Sequence, residues 1–101
     1  LPWEIAKGFD SSAPIGKWLQ KGDLSTMDFT LTKNGETVQE GNPSQMLFDI
    51  DSLIEYVSQY ITLKKGDLLF SGTPKGVGLM SKGDYFEAFL EGEKLINLRV
   101  K

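Results

Sequence analysis

Neither cysteine nor histidine occurs in this chain. Without cysteine there is no disulfide framework, and a reducing compartment such as the cytoplasm is the simpler expectation. The two absences together remove thiolate and imidazole metal sites, and both Ser-His and Cys-His nucleophile pairs. Any metal must then be held by oxygen, which favours magnesium, calcium or manganese. Basic residues are also scarce. Eleven Lys and Arg against fourteen Asp and Glu leave a formal charge of −3, which argues against a nucleic-acid partner. No apolar run approaches membrane-spanning length, and no secretory signal is visible. What is present suits one small domain or part of one: 101 residues, ordinary apolar content, and two Trp, three Tyr and six Phe for a core. The first residues, Leu1-Pro2-Trp3, lack an initiating methionine and read as interior sequence. The expectation is a piece of a longer polypeptide.

The stretch from Lys65 to Gly78 organises the chain. Gly66-Asp67 reads as a turn and Leu68-Leu69-Phe70 as a short buried strand. A loop with Gly72, Gly76 and Gly78 around Thr73-Pro74-Lys75 follows. Glycines permit positive φ and close backbone approach, while Pro74 stiffens itself and Thr73. Two readings stay open: a tight corner between strands, or a loop that presents a hydroxyl and amides to a ligand. It is not a phosphate-cradling loop, because the glycine spacing and the order around Lys75 are wrong. Nor is it a dinucleotide fingerprint, because Gly76-Val77-Gly78 lacks the third glycine.

The rest of the chain reads as mainly β with one helix. Leu1 to Gly16 is an irregular arm with Trp3, Phe9 and Ile15 as anchors. Lys7 lies in it between Ala6 and Gly8. Its charge either leaves for water along a buried stem or is held as a cation for an anionic ligand. Asp10-Ser11-Ser12 is a turn or a helix cap. Met27, Phe29 and Leu31 alternate with polar residues up to Asn34-Gly35, the signature of a strand and a two-residue hairpin returning through Glu36 to Glu40. Ile50, Leu53, Ile54, Val57 and Ile61 recur at helical intervals. They predict a helix from about Asp51 to Tyr60 with one stripe against a sheet, capped by Ser52, Asp49 or Asp51. A second hairpin runs from Tyr85 through Glu91-Gly92-Glu93 to Val100. Lys-Gly-Asp recurs at Lys21, Lys65 and Lys82 with unmatched flanks, as turns and not as a repeat architecture. An adhesion tripeptide is the other reading of that motif.

Three pieces occur in order at familiar distances: Ala6-Lys7-Gly8-Phe9-Asp10-Ser11-Ser12-Ala13-Pro14-Ile15-Gly16, then Lys33-Asn34-Gly35-Glu36 with Gln39-Glu40-Gly41, then Gly66 to Gly78. Together, over essentially the whole chain, they resemble the fumarylacetoacetate hydrolase family. The likeness is closest to its acylpyruvases, oxaloacetate decarboxylases and hydroxyheptadienedioate isomerases. The resemblance implies a mixed β-roll, of which residues 1–101 would be the C-terminal part of the catalytic domain and hence incomplete. It implies a homodimer acting on small 2-oxo acids whose oxygens chelate Mg2+ or Mn2+. The family's metal ligands, a Glu-x-Glu pair and an aspartate, lie N-terminal to the Lys7 motif. They are therefore expected upstream, with none in this chain, and Glu91-Gly92-Glu93 is in the wrong order to replace them. By the same resemblance Lys7 reaches the metal-bound substrate and stabilises a developing enolate. Ser11 stands where the family's name-giving enzyme has a threonine near the cation, and Thr73 hydrogen-bonds the substrate carboxylate. The family's glutamate–histidine water-activating pair is not visible, so hydrolysis, decarboxylation and isomerisation all stay open. The alternatives are a non-catalytic binding or assembly module derived from that fold, and a structural β-domain whose glycine loop only turns a corner. The isolated 101 residues are expected to be inactive.

Overall fold

The computed structural model describes residues 8, 10–18 and 27–101. Lys7, the anchors Trp3 and Phe9, and the Lys21-Gly22-Asp23 turn lie outside the described residues. Two hairpins dominate. Strands β1 (Phe29–Lys33) and β2 (Glu36–Gly41) are joined at Asn34-Gly35, where φ is 52° and 86°. Strands β3 (Tyr85–Leu90) and β4 (Glu93–Arg99) are joined at Glu91-Gly92, where φ is 51° and 78°. Paired positive φ values mark the primed turns whose twist matches that of antiparallel strands. Both hairpins therefore stand where alternation and turn chemistry place them.

The hairpins then pair with each other. The sheet order is β2-β1-β3-β4, with β1 and β3 antiparallel from Phe29↔Leu90 to Lys33↔Phe86. Asn34 locks this junction. Its backbone N–H donates to Tyr85 O at 2.7 Å, its side-chain oxygen accepts from Tyr85 N at 2.9 Å, and its amide donates to Asp84 at 3.0 Å. One turn residue thus closes its own hairpin and aligns the next.

Two Lys-Gly-Asp motifs form the same turn. Asp67 N donates to Lys64 O and Asp84 N to Ser81 O, both at 3.0 Å. Each Asp carboxylate in return accepts the backbone N–H of Lys64 or Ser81 at 2.8 Å. Gly66 (φ 94°) and Gly83 (φ 93°) occupy the position that needs positive φ in a type II turn. The acid closes the turn, so the motif is structural at both described positions.

Helix α1 spans Ile50–Ser58, with Asp49 as its N-cap accepting from Ser52 N at 2.8 Å. It begins one residue before the expected start and ends two before the expected end. Ile50, Leu53 and Val57 are half-buried, whereas Ile54 and Ile61 are exposed. The stripe does not lie on the sheet; Ile50 and Leu53 face a cavity described below. Before the helix, Pro43–Gln45 makes one 3₁₀ turn with a reciprocal cap: Asn42 accepts from Ser44 N, and Gln45 accepts from Asn42 N, both at 2.9 Å.

The short buried strand expected at residues 68–70 is absent. Leu68-Leu69-Phe70 is neither a strand nor buried; these residues are 48 %, 42 % and 66 % exposed. An extended segment becomes a strand only when a neighbour satisfies its N–H and C=O groups, and no described strand pairs with it. The same shortage appears in the core, where Phe86, at 9 % exposure, is the one buried hydrophobic among the described residues. Accessible surface is 8546 Å², half as much again as the roughly 5,700 Å² of a folded monomer of this mass.

Candidate functional site

The loop after Phe70 is held against β2 by contacts that follow from a bulge. Leu31 faces Gln39 and Thr32 faces Thr37, so Val38 is an extra residue with no partner on β1. A bulge bends its strand and re-aims neighbouring groups. Here the Val38 carbonyl meets the loop at Gly76. A Cβ on Gly76 would stand 2.3 Å from Val38 O and 2.8 Å from Gln39 Cγ, and Gly76 has φ 110°. Only glycine tolerates both the backbone angle and the approach.

Next to the bulge, the side chain of Gln39 reaches the same loop. Its Nε2 donates to Thr73 Oγ1 at 2.9 Å and to Pro74 O at 3.0 Å, with Lys75 O at 3.5 Å. The far end of the loop is tied by Lys33 Nζ, which donates to Leu79 O at 3.2 Å and pairs with Asp84 at 3.5 Å.

Thr73 so held lies at the wall of a cavity of about 500 Å³, within the usual size of small-molecule sites. Phe29 of β1, Met46 and Phe48 after the 3₁₀ turn, and Ile50 and Leu53 of α1 make its apolar side. Ser71, Gly72, Thr73 and Pro74 make the side with hydroxyls and backbone amides. The Asp49 carboxyl at the adjoining helix start is held below the usual carboxylate range by hydrogen bonds from the Ser52 side chain and backbone.

The expected site residues fall in three places. Thr73 is in the cavity wall. Ser11 is in an exposed turn with φ 63°, not in that wall. Lys7 is outside the described residues. Gln39 belongs to a motif that carries the family resemblance, but its contact with the loop is not legible from spacing, which makes it one more residue of a return strand. A bulge beside it is a three-dimensional fact with no local signature.

The described residues do not compose a metal site. Among the described residues no group of three acidic, histidine or cysteine side chains could hold a cation. Glu91 accepts from the backbone N–H of Asp28, and Glu93 pairs with Lys17 at 3.0 Å, so both acids of the Glu-x-Glu are engaged at the hairpin.

The described residues form a small antiparallel sheet with one helix, and a glycine loop that presents Thr73 at an apolar cavity. The chain belongs to the fumarylacetoacetate hydrolase family: residues 1–101 match the family described as Fumarylacetoacetate (FAA) hydrolase C-terminal. It is 43 % identical over 104 residues to the mitochondrial oxaloacetate tautomerase of Mus musculus, covering 100 % of this chain and 47 % of that protein. Two solved structures share the fold. One is 5-carboxymethyl-2-hydroxymuconate delta-isomerase from Mycobacterium smegmatis, with TM-score 0.90 and 35 % identity, covering 97 % of this chain and 39 % of that one. The other is maleylpyruvate hydrolase from Sphingobium sp. SYK-6 in complex with manganese (II) ion and pyruvate, with TM-score 0.74 and 30 % identity, covering 79 % and 30 %. These relatives are named as enzymes, and the chain spans about half the length of the curated relatives it matches.

Proposed function

We propose that these residues form the C-terminal part of a divalent-metal-dependent enzyme that cleaves, decarboxylates or isomerises a small 2-oxo acid. The observation that carries this reading is Thr73, a hydroxyl held at the wall of a 500 Å³ cavity by a side chain from the sheet. The manganese and pyruvate in the Sphingobium hydrolase support the metal and the substrate class. The metal, magnesium or manganese, would be held by acidic residues outside this chain. There it would polarise the oxo group.

The roles of this chain's own residues are those that the family resemblance implies. Thr73 donates to the substrate carboxylate, and the amides of the Gly72 loop can add to that contact. Lys7 supplies a cation where negative charge develops as the bond beside the carbonyl breaks. Ser11 serves as a secondary hydroxyl of the substrate site. Exposed Leu68, Leu69 and Phe70 would be covered in the full homodimeric protein, by its N-terminal half or by the second copy. A reducing compartment suits the lack of cysteine.

The test is turnover of acylpyruvates and oxaloacetate by the full-length protein, with and without Mg2+ or Mn2+, beside Lys7→Ala. That variant should lose roughly 2–4 kcal/mol of barrier reduction. Unchanged turnover would remove Lys7 from the mechanism, and wild-type turnover indifferent to chelation would remove the metal.

A further inference from the structure

We propose that Gln39 is a positioning residue for Thr73, setting which way the threonine hydroxyl points its proton and thereby how well the site grips a carboxylate. The inference rests on Thr73 being the carboxylate contact. Its own warrant is the geometry around the Gln39 amide. A carbonyl oxygen can only accept, so the group facing Pro74 O at 3.0 Å must be the NH₂ and not the oxygen of the amide. That fixes the amide orientation. The same nitrogen lies 2.9 Å from Thr73 Oγ1, so the hydroxyl oxygen accepts there. A hydroxyl has one proton and two lone pairs. With a lone pair occupied by Gln39, its proton is left for another acceptor, and among the described residues Thr73 donates to none. Thr73 is in this way turned into a donor aimed at an anion.

The Val38 bulge and the close approach of Gly76 keep Gln39 at this distance. The recognition loop therefore takes its orientation from the sheet and not from its own sequence.

The test uses the full-length protein with oxaloacetate and an acylpyruvate, comparing Gln39→Glu, Gln39→Met, Thr73→Val and the double variant Gln39→Glu/Thr73→Val. Glutamate keeps the shape and reverses the polarity. It accepts the Thr73 proton and turns the hydroxyl away from the substrate. Methionine keeps the bulk but removes the donor to Thr73 Oγ1 together with the contacts to Pro74 O and Lys75 O. A carboxylate contact is made equally before and during reaction, so KM should rise with kcat nearly unchanged. The expected rise is roughly ten- to hundredfold for Gln39→Glu, the usual weight of a hydrogen bond to a charged group, and smaller for Gln39→Met. Because Gln39 acts through Thr73, the double variant should match Thr73→Val alone.

Multiplied effects in the double variant would overturn the proposal, as would a wild-type KM in Gln39→Glu. Loss of folded protein in both Gln39 variants would assign the residue to stability instead, and would also overturn it. A wild-type KM in Thr73→Val is a different failure: it defeats the functional reading beneath.

Discussion

Replacing Gly76 by alanine tests how the loop is held, and Gly72→Ala is its control. Both glycines have strongly positive φ, 110° and 104°. Each alanine therefore meets backbone strain of about 1–3 kcal/mol. They differ in surroundings. A Cβ at Gly72 meets nothing within 4 Å, whereas at Gly76 it meets Val38 O at 2.3 Å. A strand carbonyl cannot swing aside as a side chain can, so the loop must lift. Lifting breaks the Gln39 bonds to Thr73 Oγ1 and Pro74 O, each with a net value of about 0.5–1.5 kcal/mol. Gly76→Ala should thus cost roughly 1–3 kcal/mol more than Gly72→Ala. Urea unfolding of the full-length protein measures that difference, and amide exchange along β2 shows whether the opening is local. Equal costs for the two variants would refute the argument, since the Val38 contact would then carry no weight.

Acid should weaken the fold through two carboxylates. Asp84 is held below the usual carboxylate range first by the Ser81 backbone N–H, then by Asn34, and Asp49 is lowered by Ser52. A lowered folded value stabilises the protein above the ordinary value of 3.8 and loses that stability as pH falls through the folded value. Melting temperature should therefore drop on acidification below about pH 4, and less steeply in Asp84→Asn; parallel curves would contradict this. The 101 residues expressed alone should bind a hydrophobic-surface dye strongly and show no metal-dependent turnover, whereas the full-length protein should bind little dye. Weak dye binding by the segment would mean that exposed residues such as Leu79 and Met80 are covered without further chain.

The hairpins were legible because each depends on neighbours in sequence: alternation through Phe29 and Leu31, then Asn34-Gly35. The helix was legible in its period but not in its destination, since a stripe announces burial without saying what covers it. Leu68-Leu69-Phe70 was misread for the same reason, because strand character belongs to a pair and not to a segment. At the site, the stiffness of Thr73-Pro74 could be read directly. The orientation of the Thr73 hydroxyl could not, because it depends on Gln39, thirty-four positions away, and on a register shift at Val38.

The order β2-β1-β3-β4 leaves β2 at a margin of the sheet, where unpaired groups invite a strand from another molecule. The bulge and the docked Gly72–Gly76 loop occupy that margin. The loop proposed to contact the substrate carboxylate thus also covers part of a strand edge. Variants that free it would be expected to clump as well as to bind poorly, so a fall in soluble yield and a fall in affinity would share a single cause.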